Sequence, residues 1–339
     1  MSSIYDVARK AQVSVSTVSR CLNGNSSVAE DTMQRIRQTA DEMGFELKKY
    51  RRRKSSAQNV IGVIITEHND FFTAAVNAIE HIANENSISV IICNSYEDND
   101  REMLCLDVLC KQVDGLIVVP ASQTAEYNAK LIKEIDNTII PVVLLDRDLS
   151  NEQLDGAFVD GYRGAYNAVQ ALVNNGHVNI AIMSGPTTNK PGLDRLNGYL
   201  AALRDNHIPI REEYILYGEF KKELAFSLTG KLLKNHPEVT AVFSANLIMS
   251  FGCLEAIDQA NVKIPEQLAF ITFDDFFFFE TSNISVVNNP GYKLGEEAMK
   301  SLISRIQSDK RSKYEPSRRI ILMPHLILRG SEHYPIQRS

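Results

Sequence analysis

IYDVARKAQVSVSTVSRCLNGNSSVAEDT, residues 4–32, is the stretch on which the reading of the chain turns. Ile4, Val7, Ala8 and Ala11 recur at helical spacing, Gln12 and Val13 break the period, and Ser14 has a side-chain oxygen that can cap a second helix, VSTVSRCLN (15–23). A third helix, 30–43, opens with Glu30 and Asp31, whose charge suits the positive end of a helix, and stops at Gly44, which tolerates the left-handed closing conformation. Ala29 stands at its cap position, where a hydroxyl residue would add about 1 kcal/mol. Three short helices within residues 1–47 predict a small all-α helix-turn-helix head.

In the second helix Val18 and Leu22 fall on the core side, one turn apart. Val15, Ser16, Thr17, Ser19 and Arg20 then face outward. The hydroxyls there and on Ser14, with the Asn23 amide, suit phosphate oxygens, and the Arg20 fork matches O6 and N7 of guanine in a major groove. A generic three-helix unit with a surface arginine has the same pattern, so these residues alone leave both readings open. Charge bears on the choice: the first 60 residues hold 11 Lys and Arg against 6 Asp and Glu, the rest 25 against 36. A basic end on an acidic body implies that only the end meets a polyanion.

Outward from the head, KKYRRRKSSAQ (48–58) loses apolar periodicity and reads as a connector, 48–59 in all. Beyond it, β-branched runs alternate with helical stretches: VIGVIIT (60–66), SVIICNS (89–95), GLIVVP (115–120), PVVLLD (141–146), IAIMSG (180–185), TAVFSA (240–245) and LAFITFDD (268–275). Most are continuously apolar, as strands buried on both faces must be, and the alternation specifies parallel sheets with crossover helices. Seven or more such units in 60–330 exceed one open sheet, so the body is read as two doubly wound parallel-sheet subdomains with a cleft at the carboxyl ends of their strands. Residues 331–339 read as a polar tail without a heptad of leucines, which favours a dimer over a coiled-coil tetramer.

Other classes are disfavoured. Five cysteines, an odd number without a Cys-x-x-Cys pair, argue against a disulfide framework or structural zinc and for a reducing cytoplasm. The polar start MSSIYDVARK is not a signal peptide, and no apolar run approaches about 18 residues, so no membrane association is expected. No phosphate-binding glycine loop or metal-ligand cluster stands out, so no cofactor, metal or catalytic residue is assigned. The rivals are a periplasmic-type sugar-binding protein, which would need a signal peptide, and a sugar- or nucleotide-directed enzyme.

The head segment with EMGF (42–45), Val159-Asp160 with Gly164, GH at 176–177, SGP at 184–186, R-x-x-G-Y at 195–199, FDD at 273–275 and P-x-x-x-L-G at 290–295 together resemble the lactose/galactose repressor family, over residues 3–330. The resemblance implies a periplasmic-binding-protein-like body and a cytoplasmic, homodimeric, sequence-specific transcription regulator, a repressor of carbohydrate-utilisation genes. Its operator is double-stranded DNA, and its affinity is switched by a small sugar. The resemblance places operator choice on Val15 and Ser16, with Arg20 one turn on. It places ligand contacts at Phe71, Phe72, Asp146, Arg147, Asn189, Arg195, Phe220, Asn246, Asp274 and Asn289.

The residues themselves point most strongly to Asp274 and Arg195, because a charge at the end of a buried strand needs a partner and each forms paired hydrogen bonds with vicinal hydroxyls. Phe71, Phe72 and Phe220 are equally readable as core aromatics, Asp146 and Arg147 as a pair at the cleft rim, and Asp275 as a backbone-orienting group. Several positions depart from the family. The connector lacks the usual proline, asparagine and apolar wedge; Tyr50, Arg51 and Arg52, with Arg53, are read instead as minor-groove or phosphate contacts or as a flexible basic linker. Leu247 and Gly161 also differ from the family pattern, and the run Phe276 to Phe279 suits a pocket mouth or a buried interface.

Overall fold

The structure, a computed structural model, describes residues 4–22, 29–43, 59–138, 140–149, 154–307 and 316–333. The chain divides into two compact units, Met1–Ala57 and Gln58–Ser339.

The first unit contains α1 (Ile4–Lys10), α2 (Val15–Leu22) and α3 (Glu30–Glu42). Gln12 takes a left-handed φ of 53° between α1 and α2, and the Ser14 hydroxyl accepts from the Thr17 amide at 3.1 Å. Val7, Ala8 and Ala11 of the first helical segment meet Val18 and Cys21 of α2 and Ile36 and Ala40 of α3 in one small core. Cys21, which the apolar pattern missed, is fully enclosed, and its thiol donates to the Met33 carbonyl, tying α2 to α3.

The second unit holds two six-stranded sheets. The first half runs β1 (Asn59–Ile65), α4 (Asp70–Glu85), β2 (Ile88–Asn94), α5 (Asn99–Leu109), β3 (Gly115–Val118), α6 (Ala125–Asn137), β4 (Val142–Leu145) and β5 (Asp155–Val159). The chain then crosses to the second half: α7 (Gly161–Asn174), β6 (Ile180–Ser184), α8 (Lys190–Asp205), β7 (Ile215–Tyr217), α9 (Lys222–Asn235), β8 (Ala241–Ser244), α10 (Leu247–Gln259), β9 (Ala269–Phe273), α11 (Phe277–Thr281) and β10 (Ser285–Asn288). It returns through α12 (Gly291–Gln307) and β11 (Arg319–Leu322), and crosses a third time to β12 (His325–Ile327).

The sheets repeat one topology: β11-β5-β4-β3-β1-β2 and β12-β10-β9-β8-β6-β7. Each is parallel except that β12 runs antiparallel to β10, a departure from the all-parallel expectation. That exception follows from the third crossing, where the chain leaves β11 and reaches β12 through two residues, too few for a crossover helix. Strands β1, β3 and β4 are sandwiched between α4 and α12 on one face and α5 and α6 on the other, hence their unbroken apolar runs. SVIICNS reads the same way but forms the sheet's open edge, where Ile91 and Ile92 are 37% and 39% exposed.

The stretch read as a polar tail also needs correction at its start. Ser331 and Glu332 are buried: the Ser331 hydroxyl donates to the Phe270 carbonyl at 2.5 Å and accepts from the Ser285 amide at 2.7 Å, and Glu332 accepts from the Ser285 hydroxyl. His177 sits beneath them, its ring between Thr240 Oγ1 at 2.9 Å and the Glu332 carbonyl at 3.2 Å, a structural position. No helix among the described residues is long and apolar enough to cross a membrane.

Candidate functional site

In the head, Ser14 and Thr17 share a hydroxyl hydrogen bond of 2.7 Å at the start of α2. Thr17 is half-buried, and Val15 leans partly on the core instead of standing clear of it. Ser16, Ser19 and Arg20 fall within α2; Asn23, Tyr50, Arg51, Arg52 and Arg53 lie outside the described residues.

In the body, the strand-end rule accounts for the geometry. Because the two sheets share one topology, β4 and β9 are equivalent, and each ends in an aspartate with left-handed backbone: Asp146 at φ 62° and Asp274 at φ 72°. Such non-glycine conformations persist only where surroundings enforce them, and they concentrate at functional sites. Phe220 is a third such residue, at φ 54°, a strained conformation for an aromatic. Its ring covers Gly185 so closely that a Cβ there would lie 2.1 Å from Phe220 Cε1, which explains why the SGP turn carries glycine.

A cavity of about 170 Å³ opens between the amino end of α4, the start of α10 and the second chain crossing. Phe71, Asn246, Asp274 and Asn289 line it, so four of the residues expected to contact ligand are brought together. Asp274 Oδ1 accepts from Asn289 Nδ2 at 3.0 Å and Oδ2 from the Leu247 amide at 3.4 Å. Asn246 caps α10, its Oδ1 accepting from the Met249 amide at 2.8 Å. Asn289 lies in the crossing itself, and its Oδ1 is buried without a partner. At the end of this crossing Gly291 packs against Phe71: a Cβ would sit 2.7 Å from the Phe71 carbonyl.

The other expected contacts sit elsewhere. Phe72, also on α4, is a core residue about 100° around the helix from Phe71, which packs only partly against the same core. Asn189 caps α8 through the Gly192 amide at 2.9 Å. Arg195 is buried, donates Nη1 to the Ala245 carbonyl at 2.6 Å and lies 3.8 Å over the Phe273 ring, leaving Nε buried without a partner. Burial pushes the Asp146 carboxyl upward, Asp274 and Glu97 push the same way, and Arg147 and Arg195 oppose. Arg147 does not form the rim pair with its neighbour. It grips both oxygens of Glu97 at 2.6 and 2.8 Å and donates to the carbonyls of Pro120 and Ala121. Asp275 accepts from Arg329 on both oxygens, at 2.7 and 2.9 Å, and from the Phe276 amide at 2.9 Å.

Residues not singled out from the sequence complete the cleft. Asn69 caps α4 and lines the cavity with Asp70 and Asn288. Gln123, beyond β3, donates to the Asp148 carbonyl and accepts from the Lys190 amide at 2.5 Å, so one side chain bridges the two halves. Glu67, beyond β1, has its carboxyl raised by burial and by Glu97. Glu97 and Gln123 follow the carboxyl ends of β2 and β3 as Asp146 and Asp274 follow those of β4 and β9, and the charge at Glu97 is the signal that could have found it. Beneath them, Glu102 is fully buried and accepts from the Ala121 amide; burial pushes its carboxyl up to about 7.

Comparison with known proteins follows this geometry. Residues 3–46 match the family described as bacterial regulatory proteins, lacI family, and residues 58–327 the one described as periplasmic binding proteins and sugar binding domain of LacI family. Catabolite control protein A of Priestia megaterium is 31% identical over 331 residues, 96% of this chain and 97% of that protein. The HTH-type transcriptional repressor PurR of Actinobacillus pleuropneumoniae serotype 3 (strain JL03) is 29% identical over 336 residues, 98% of each. Among solved structures, a transcriptional regulator CelR–cellobiose complex shares the fold at a TM-score of 0.71 and 24% identity, over 98% of this chain and 100% of that one.

Proposed function

Because the chain belongs to the LacI family of bacterial regulatory proteins, we propose that it is a cytoplasmic homodimeric repressor of carbohydrate-utilisation genes whose affinity for operator DNA is set by a small sugar in the body cleft. The observation that carries the sugar reading is the convergence of Asp274, Asn246 and Asn289 on one cavity, with Arg195 at the neighbouring strand end. A carboxylate and carboxamides held by short backbone and side-chain bonds present fixed donors and acceptors for vicinal hydroxyls, and Phe71 offers an apolar face. The cellobiose-bound regulator of the same fold supports a saccharide. The arrangement orients and encloses a ligand, and the activity proposed is binding without turnover.

A single helix-turn-helix reads one half-site, so useful specificity requires two heads. For pairing, the open edge of the first sheet offers Ile91 and Ile92 on β2, and α5 of the same half exposes Leu104 and Val108, 63% and 41% accessible. Cleft occupancy then acts by differential affinity: a sugar that favours one arrangement of the two halves changes operator affinity by the factor by which operator changes sugar affinity. Within the head, Val15 and Ser16 are proposed to choose the operator, with Arg20, the neighbouring hydroxyls and the basic connector adding phosphate contacts.

The test is a thermal-shift screen of the full chain against mono- and disaccharides, followed by operator gel shifts with and without each hit. A ligand at 100 times its dissociation constant adds roughly 2.7 kcal/mol and a clear rise in Tm. Asp274→Ala is expected to abolish the rise; a full shift in that variant rejects the pocket, and sugars that leave operator affinity unchanged reject the switch.

A further inference from the structure

We infer that the cleft selects an effector rich in hydrogen-bond donors and free of negative charge, an uncharged or amine-bearing saccharide, and excludes sugar phosphates and sugar acids. The inference rests on the saccharide reading above and narrows it. Its first support is the composition of the cavity wall. Asp70 and Asp274 contribute carboxylates, Asp275 a third whose charge Arg329 offsets, four asparagines contribute carboxamides, and no Lys, Arg or His among the described residues lines it. A phosphate or carboxylate placed there would face like charges without a cation of its own.

The second support is that the cations around the wall are already committed. Arg147 holds Glu97 and two backbone carbonyls, Arg329 holds both oxygens of Asp275, and Lys190 pairs with Asp194 at 2.7 Å. Arg195 is nearest to an exception. Its guanidinium lies flat on Phe273 with Nη1 on the Ala245 carbonyl, and it shares the strand ends with Asp146. Its other N–H groups, Nε–H among them, remain as donors beside the Asp146 carboxyl, and Arg195 does not line the cavity wall.

The third support is independent of charge. Asn289 gives Nδ2 to Asp274 and leaves Oδ1 buried with no partner. Flipping the amide would set its oxygen against the Asp274 carboxylate, so Oδ1 is the atom left without a partner. A buried acceptor of this kind needs a donor, which a hydroxyl or an ammonium supplies and a phosphate dianion lacks. An ammonium on the ring would add a charge-assisted bond to the carboxylates.

The experiment is calorimetry on the full chain with matched probes on one skeleton: glucose, glucosamine, glucose 6-phosphate and glucuronate; the galactose counterparts; ribose with ribose 5-phosphate; and cellobiose. Binding is expected among neutral and amino sugars, with the phosphate and acid of any bound skeleton about 100-fold weaker. A phosphate or acid that matches or beats its neutral parent overturns the inference and leaves the saccharide pocket standing. If no probe of any charge binds, the saccharide reading fails and this inference with it. Binding that survives Asp274→Ala fails the pocket assignment alone. Asp70 is exposed at the start of α4, so Asp70→Asn and Asp70→Lys test the charge without removing core packing. The gap between parent and phosphate is expected to narrow stepwise in the two variants, by about 3-fold and about 10-fold. A gap insensitive to the charge at position 70 overturns the inference.

Discussion

The two halves of the body are built to one plan and finished differently. Strand for strand, β1 to β5 correspond to β6 to β10, Asp146 to Asp274, and the α4 cap Asn69 to the α8 cap Asn189. The first sheet ends in a seven-residue edge strand with two exposed isoleucines, the second in the three-residue β7. The fourth residue of α5 is the buried acid Glu102; the fourth of α9 is Ala225. Topology repeats because packing sheets between helices demands it; the halves differ at their outer edge strands and in the helices that follow them, and the longer edge is the one proposed to pair with a second chain.

The comparison breaks most visibly at the edges. Ile91→Lys with Ile92→Asp is expected to convert the dimer to monomers in analytical ultracentrifugation and to weaken operator binding about 1000-fold by loss of bivalency. Tyr217→Lys, on the equivalent edge of the second sheet, should leave both measurements unchanged. Dimers that persist in the double variant would mean that the long edge has another purpose.

The paired aspartates come next. Asp274→Asn is expected to weaken the best sugar about 100-fold, because that carboxylate lines the cavity and organises Asn289. Asp146→Asn should weaken it about 10-fold, since removing a crowded negative charge compensates part of the lost contact. Equal losses by calorimetry would make the pair functionally symmetric.

Glu102 gives the first half a pH-sensitive buried acid with no counterpart in the second. Its carboxyl titrates near 7 in the folded chain and near 4.5 otherwise, so between those values the folded state holds the extra proton and stability falls as pH rises. Glu102→Gln is therefore expected to flatten the decline between about pH 4.5 and 7 and to gain about 2 kcal/mol at pH 8, read by urea unfolding. An unchanged pH profile would reject this.

The caps give the smallest effect. Asn69→Ala and Asn189→Ala should each lose about 1 kcal/mol. Only the former lines the cavity and should also weaken sugar binding; a matching affinity loss in the latter would extend the site to α8.

Much of this plan was legible in the sequence. Long runs such as VIGVIIT announce themselves because a strand covered on both faces has no room for polar residues. What was missed is short or compromised: DGAFV of β5 begins with an acid and a glycine, β7 and β12 have three residues each, and RIIL of β11 has a half-exposed pattern. No local signal says that β11 and β12, two residues apart, belong to different sheets. Phe71 and Phe72 were indistinguishable in sequence, yet a helix turns neighbours about 100° apart, and only Phe71 reaches the cavity. Asp274 was found because a charge after a buried strand is conspicuous. Gln123 was missed because an uncharged amide after β3 is not, although its position follows the same rule.

The three chain crossings also govern how the molecule can be made. Leu294, Ala298, Met299 and Leu302 of α12 roof the first half's core, and β11 completes its sheet, while β12 and the buried Ser331 and Glu332 finish the second. On the ribosome, neither half can close until almost the whole polypeptide has emerged, so the body matures as one unit late in translation, with an open first half exposed throughout. Frameshifts or stop codons ahead of β11 would therefore yield a nascent chain fit for proteolysis, with neither sheet complete.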